Sequence, residues 1–354
     1  MKNLLSPLGD IYFQPVADGL HEIIESLHPS SVIIIADDNT QKFCVPLVIS
    51  HVNTTHTIII PHGETHKDLD SCRHIWSELL KLGADRKALV LNVGGGVITD
   101  IGGFAAACYL RGIRFANIPT TLLGMTDAAF GGKVGINFEG AKNYLGAVAF
   151  PQFVWMDKEF IQTLPGVEII SGLAETVKHA IIGSHELWEY LGGLPSRDQI
   201  EWEAILSLSI PVKLAITESD VYEEGERKKL NFGHTIGHAI ESFFLKTNQP
   251  LSHGQSVTLG MLAESRMAYQ VGLLNNTDFN AIVMRIDHLL EPERISLPTF
   301  DDLISWLQKD KKTTLGVVGY SLPDGIGSCR WDVKTDEQEV RKGLGWLSNH
   351  LEAQ

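Results

Sequence analysis

Cysteine is scarce in this chain. Its four residues, Cys44, Cys72, Cys108 and Cys329, are scattered, with no pair at the spacing of a metal knuckle or a redox motif. Reduced thiols in a cytoplasmic protein are therefore expected, not a disulfide framework. Positive charge is also in short supply: 29 Lys and Arg stand against 43 Asp and Glu, a formal net charge of -14. Such a balance argues against nucleic acid or an acidic membrane as partner, and any anionic substrate needs its own local cluster of cations. Long apolar runs are missing as well. Val32–Ala36 and Thr57–Ile60 are strand length, far below the roughly 20 residues that span a bilayer. Met1–Asp10 is too short, and too interrupted by Pro7 and Gly9, to read as a secretory segment. Neither a low-complexity tract nor an internal repeat is evident.

What is present is an ordinary globular composition, 44% hydrophobic over 354 residues, enough for two domains with real cores. In the first half, β-branched runs at Ser31–Ala36, His56–Ile60, Ala88–Asn92 and Phe115–Ile118 alternate with amphipathic segments near Gly19–Leu27 and Asp68–Leu82. That alternation predicts a parallel sheet with helices on its faces. From about Pro165 onward the period is helical, at Val167–Ile182, Trp202–Ser219, Phe232–Lys246, Ser256–Val271, Asn276–Leu290 and Phe300–Lys309. Pro211 should kink or split the second of these. The expected architecture is an α/β Rossmann-like unit over residues 1–160 and an all-α unit over 161–354, with the boundary near 157–165 and a substrate cleft between them.

Several clusters suggest chemistry. Gly94-Gly95-Gly96-Val97-Ile98-Thr99-Asp100 follows a strand and opens a helix, Thr99–Cys108. It suits a pyrophosphate, and equally a tight turn with no ligand, since it is not GxGxxG. Asp37-Asp38-Asn39, just past an earlier strand, can hold a ribose hydroxyl or simply make the strand-to-helix turn. Asp127, Gly131-Gly132-Lys133 and Lys142-Asn143 form a glycine-rich stretch whose lysines can clamp an anion. The apolar approach Ile118–Gly124 should bury them, and buried lysines need partners.

The strongest cluster is GLAETVKHA at 172–180, followed by RKKLNFGHTIGH at 227–238 and Ser252-His253-Gly254. One carboxylate and three imidazoles set among cations suit a divalent metal beside an anionic substrate. His234 and His238, four apart, share a helical face, so the bare pattern makes both of them metal ligands. Two structural histidines are the competing reading.

GGGVITD, IPTTLLGMTDAAFGGKVGIN, AKNYLGA, GLAETVKHA, RKKLNFGHTIGHAIE, SHG and KDKK occur in this order and at suitable spacing. Together they cover roughly residues 30 to 330, and by them the chain closely resembles the 3-dehydroquinate synthase family of sugar-phosphate cyclases. The resemblance implies a carbon–oxygen lyase that works as a cytoplasmic homodimer with NAD and one zinc per subunit, cobalt being an alternative metal. It implies conversion of 3-deoxy-arabino-heptulosonate 7-phosphate to 3-dehydroquinate and phosphate, the second step of the shikimate pathway toward aromatic amino acids. The expected order is oxidation, phosphate elimination, reduction and intramolecular aldol closure.

Carried over motif by motif, the metal ligands are Glu175, His234 and His253, and His238 passes to the substrate side. Asp127, Lys133, Asn143, Lys178, Lys213, Arg227, Asn231 and Lys311 match positions that hold substrate. Arg111 matches an arginine that reaches the phosphate, from across the dimer in one reading. NAD contacts are implied for Asp37, Asn39, Glu64, Lys67, Gly95, Gly96, Val97 and Asp100, and for Thr120, Thr121, Leu123 and Lys142.

The chain also departs from the family pattern. Ala128-Ala129-Phe130 stands where two serines and a valine are usual, Val134 replaces a threonine, and Gln255 replaces a glutamate beside a metal ligand. These departures keep in view a sister cyclase acting on another sugar phosphate; a metal-dependent polyol dehydrogenase of related architecture is a further alternative, one not expected to carry so many phosphate-binding lysines. A non-catalytic relative is disfavoured, because a dead copy has no physical reason to keep a desolvated charged constellation.

Overall fold

Strands covered on both faces read as largely apolar runs, and Val32–Asp37, Leu89–Gly94 and Arg114–Pro119 are such runs, buried along nearly their whole length. In the computed structural model, which describes residues 3–53, 56–309, 313–314 and 317–353, they are central strands of a parallel sheet. The chain divides into two compact units, Met1–Pro165 and Gly166–Gln354.

The strands of the first unit are β1 (Asp10–Phe13), β2 (Val32–Asp37), β3 (Thr57–Ile60), β4 (Leu89–Gly94), β5 (Arg114–Pro119), β6 (Lys133–Phe138), β7 (Ala141–Val148) and β8 (Phe153–Met156). Six make the sheet, in the order β1-β8-β5-β4-β2-β3, with every pairing parallel. β6 and β7 form a separate antiparallel hairpin. Helices α1 (Leu20–Ser26), α2 (Thr40–Phe43), α3 (Val45–Ile49), α4 (Leu69–Lys81) and α5 (Gly96–Cys108) connect the strands. From β2 the chain runs outward to β3 and returns on the other side as β4. The carboxyl ends of β2 and β4 therefore flank a reversal of strand order, the place where open α/β sheets bind ligands.

One core joins Ile33 and Ile35 of β2 and Ile58 and Ile60 of β3 to α4 and α5. Asp68 starts α4 by accepting from Ser71 N at 2.8 Å. α5 lies so close to the sheet that a Cβ on Gly102 would sit 1.9 Å from Asn92 Oδ1.

The second unit is helix-rich: α6 (Gly166–Gly183), α7 (His185–Gly192), α8 (Trp202–Ser219), α9 (His234–Phe244), α10 (His253–Gln270), α11 (Asn276–Leu290), α12 (Phe300–Lys309) and α13 (Glu337–Ala353). α6 and α10 are buried along most of their length. Side chains of Ser184, Ser252 and Asn275 cap α7, α10 and α11. α8 runs through Pro211 without splitting. Buried side chains on both sides of the proline, Leu206, Ser209, Ile210 and Lys213 among them, hold it by packing despite the missing N–H.

A three-stranded antiparallel sheet of β9 (Thr313–Thr314), β10 (Val317–Gly325) and β11 (Ser328–Lys334) accompanies the helices. Its pattern is obscured because β10 contains Pro323 and Gly325, and its register shifts between Tyr320 and Leu322 and between Pro323 and Gly325.

Candidate active site

In the first unit, the strands around the reversal end in residues with candidate roles. β2 ends on Asp37, β3 leads to Glu64 and Lys67, and β4 runs into Gly95, Gly96 and Val97 at the start of α5. β5 leads to Thr120, Thr121 and Leu123. No side chain caps the first turn of α5, which leaves its amide groups and helix dipole for an anion. Gly95 lets the chain pass close to Thr121, since a Cβ there would lie 2.8 Å from Thr121 Cγ2 and displace that side chain. A phosphate cradle is thus compatible with this turn.

Asp37 serves the turn itself, since Oδ1 accepts from Asn39 N at 2.9 Å and from Thr40 N at 2.7 Å. Asp38 pairs with His62 at 2.8 Å, and that hydrogen bond lowers its carboxyl.

A hydrogen-bonded network centred on buried Lys67 lies beside this turn. Lys67, 3% exposed, donates to Asp100 and to Asn143 Oδ1, the latter at 2.6 Å. Asn143 N donates to Asn137 Oδ1 at 2.9 Å, and Asn137 Nδ2 donates to Glu64 Oε1 at 3.0 Å. Lys142 Nζ lies 3.6 Å from the same Glu64 oxygen. The hairpin is thereby tied to the β3 loop and to the first turn of α5. Asn137 is the hub, and motif reading passed over it; its signal was an amide within the otherwise apolar strand Val134–Phe138.

The expected burial of the clamp lysines is not what the structure has: Lys133 is exposed and Lys142 half-buried. β6 turns Val134 and Ile136 toward the core, so strand alternation sends Lys133 the other way. Asp127 lies on a π-helical turn, Gly124–Ala128. Arg111 is exposed just past the far end of α5. At 1.5 Å per residue that is about 20 Å from the glycine turn, so the structure does not bring Arg111 to that turn.

In the second unit, three elements deliver three lone-pair donors to one point. α6 carries Glu175, fully buried; α9 begins with His234 and α10 with His253. Glu175 Oε1 lies 3.2 Å from His234 Nε2 and 3.4 Å from His253 Nε2, and all three ligand atoms fall within 4.8 Å of one another. Oε1 is buried and accepts no hydrogen bond. His234 Nδ1 is 3.0 Å from Phe232 O; donation there fixes the tautomer and leaves the Nε2 lone pair facing Glu175. A carboxylate and two imidazoles converging on one point suit a divalent cation, and this set fits zinc in type and number. His238 belongs to an adjoining trio with Glu241 and His253.

The electrostatics agree with a cation cradle. Burial works to raise the Glu175 carboxyl, but Lys178, its buried partner three residues on, and His234 hold it well below the usual carboxylate range. Burial pushes His234 down, keeping it neutral. Burial opposes protonation of His253 too, yet Glu175 and Glu241 raise that imidazole to about 10 in the metal-free protein. Gln255 forms a capping box with Ser252 and donates to Glu293 at 2.7 Å. It thus supports the turn that carries His253 without touching the imidazole.

Further cations stand in the same unit. Lys213 on α8 and Arg227 on a 3-10 turn, Glu226–Asn231, are both buried. Asp220 organises the approach, accepting from Glu224 N, Gly225 N and Arg227 N at 3.0, 2.7 and 3.0 Å. Asn231 donates to Glu223, a residue held at φ 63. Asp220, Glu223 and Glu241 were missed in the sequence because acidic residues outside a motif read as solvated. Lys311 lies outside the described residues.

Residues 57–171 match the family described as 3-dehydroquinate synthase N-terminal, and 172–313 the family described as 3-dehydroquinate synthase C-terminal. The 3-dehydroquinate synthase of Pyrococcus furiosus is 37% identical over 333 residues, 93% of this chain and 96% of the relative. That of Acetivibrio thermocellus is 38% identical over 325 residues, 89% of each. Among solved structures, 2-epi-5-epi-valiolone synthase from Streptomyces hygroscopicus, with NAD+ and Zn2+ bound, superposes with a TM-score of 0.86 at 26% identity over 99% of each chain.

Proposed function

The chain belongs to the 3-dehydroquinate synthase family, and on that premise we propose that it converts 3-deoxy-arabino-heptulosonate 7-phosphate to 3-dehydroquinate and phosphate. The observation that carries this reading is the convergence of Glu175, His234 and His253 in a unit that also buries Lys178, Lys213 and Arg227. A chain of net charge -14 that desolvates so many cations is built to receive an anion-rich ligand.

Glu175, His234 and His253 hold the metal, and the turn at Gly95–Val97 with Lys67, Asp100 and Glu64 holds NAD. Zinc supplies Lewis acidity toward a substrate hydroxyl, and NAD supplies a hydride acceptor that is restored within the same turnover. The rest is the work of this chain. His234 Nδ1–H is committed to Phe232 O, so its imidazole is held in one orientation and one tautomer. Arg227 offers a fork suited to a carboxylate or phosphate, and Lys213 a point charge. Lys178 keeps Glu175 ionised and so keeps that carboxylate a ligand. The enzyme acts as a cytoplasmic homodimer in aromatic amino acid biosynthesis; among the described residues no helix is long and apolar enough to cross a membrane.

A second reading is a sister cyclase. The likeness to 2-epi-5-epi-valiolone synthase and the Ala128-Ala129-Phe130 departure favour it; the higher identity to 3-dehydroquinate synthases outweighs them. The substrate carboxylate separates the two. Zinc- and NAD-loaded protein should release phosphate from 3-deoxy-arabino-heptulosonate 7-phosphate and not from a heptulose 7-phosphate lacking the carboxylate. Release only from the latter would move the assignment to the sister reaction.

A further inference from the structure

Helices α9 and α10 run antiparallel. A Cβ on Gly233 would meet Met261 and Val257, one on Gly237 would meet Ser256 and Val257, and Glu241 lies next to His253. As the chain ascends along one helix it descends along the other. Each helix begins with a metal-ligand histidine, His234 in α9 and His253 in α10. Each also carries, further along, a buried glutamate that reaches the opening turn of its neighbour.

Glu264 of α10 is fully buried, and its carboxylate accepts from Gly233 N at 2.6 Å and from Ile236 N at 3.0 Å. Gly233 is the cap position of α9, at φ 78, and has no side chain with which to cap. Glu264 therefore does from another helix what Asp or Ser does locally: it satisfies first-turn N–H groups and places negative charge at the positive end of the dipole. The N–H of Gly233 immediately precedes His234. In the opposite sense, Glu241 of α9 is 3% exposed, and its Oε2 lies 3.8 Å from His253 Nδ1, on the far side of the ring from the Nε2 that faces Glu175.

We propose that Glu241 and Glu264 are paired positioning residues, each carried by one ligand-bearing helix and each aligning the histidine of the other. Glu264 sets His234 through the backbone, and Glu241 orients the His253 ring. The ligand geometry is thereby a property of the α9–α10 pair and not of either helix alone. Outer partners of metal-bound histidines typically contribute about 10- to 100-fold in metal affinity. This inference rests on the metal reading of Glu175, His234 and His253.

The test measures zinc itself. The full-length, NAD-free protein is titrated with zinc against a chromophoric chelator, well below the melting temperature of the metal-free form, which is recorded for every variant. Glu241→Ala is expected to weaken zinc about 10- to 100-fold, while Glu241→Gln, which keeps an acceptor, recovers part of the loss. Glu264→Gln preserves size but presents an amide NH2 to one of the two N–H groups, and should weaken zinc about tenfold and alter the visible spectrum of the cobalt-substituted protein. Should it not fold, Glu264→Asp tests the same contact with a shorter reach. Folded variants that bind zinc as tightly as the unaltered chain would overturn the proposal, even with a lowered melting temperature, because that combination marks a purely structural role. An unaltered chain that bound no zinc would instead count against the metal reading.

Discussion

Replacing Gly260 with alanine probes how finely the metal ligands are set. The new Cβ would sit 1.9 Å from Gly233 O, 2.7 Å from Gly237 N and 2.8 Å from Gly233 C. All three are backbone atoms of α9 or of its cap residue, so no side chain can swing aside and the start of the helix itself must retreat. Ordinary van der Waals contact begins at 3.4 Å. A rigid retreat would be 3.4 − 1.9, about 1.5 Å, in an interior packed too densely to absorb it elsewhere. Metal–ligand distances tolerate only about 0.2 Å, and a misplacement near 1 Å costs on the order of 100-fold where geometry governs. Overpacking alone costs about 1–3 kcal/mol, and each kcal/mol lowers the melting temperature of a unit this size by about 2–4 °C. Gly260→Ala should therefore lower the melting temperature of the metal-free protein by several degrees and weaken zinc by about 10- to 100-fold. Calorimetry and chelator competition read the two effects separately. A variant that melted and bound zinc like the unaltered chain would refute the reasoning.

Glu175→Ala should abolish zinc binding and destabilise the fold by about 3–5 kcal/mol, because the Lys178 ammonium, 1% exposed, loses its carboxylate. Denaturant titration should find most of that stability restored in Glu175→Ala/Lys178→Met, and metal analysis should find no zinc. Asn137→Ala removes the amide joining Glu64 to Asn143. At about 1 kcal/mol for each of these two bonds it should raise the NAD dissociation constant by up to about 30-fold, with zinc affinity unchanged; tighter or equal NAD binding in a titration would contradict the network's role. The stability of the metal-free protein should also depend on alkaline pH. Burial opposes protonation of His253, but Glu175 and Glu241 raise it to about 10. A pKa raised above the ordinary value of about 6.5 gives stability fully present below that pH and lost as pH rises through about 10. Melting temperature should fall across that window without metal and stay flatter with zinc, which takes the proton's place; parallel profiles would sink this account of His253.

Much of this molecule was legible as pattern. The strand runs at Val32, Leu89 and Arg114 stand out because burial on both faces favours apolar residues, and the two buried amides they do carry, Asn92 and Asn117, are hydrogen-bonded to each other. α11 and α12 begin and end where the helical period does. β10 did not, because Pro323 and Gly325 break the pattern its bulged register tolerates. The site divides in the same way. Glu175 and the histidines are recognisable as residues that no core requires. Asn137, Glu223, Glu241 and Glu264 act through contacts with residues distant in sequence or on a neighbouring element, and no local spacing marks them. The pair His234 and His238 shows the limit most clearly. Helical geometry puts both on one face, while the approach of α6 and α10 brings Glu175 and His253 to His234. His238 adjoins Glu241 and His253 instead.

The central claim is a cyclase that restores its cofactor within each turnover. The direct measurement supplies zinc-loaded protein with limiting NAD and excess 3-deoxy-arabino-heptulosonate 7-phosphate, and follows phosphate, product and NADH absorbance together. The account predicts that phosphate and 3-dehydroquinate form in equal amounts, far beyond the NAD supplied, with no NADH accumulating. Oxidation that stopped when NAD was exhausted, with NADH released in step with product, would contradict it and point to a dehydrogenase.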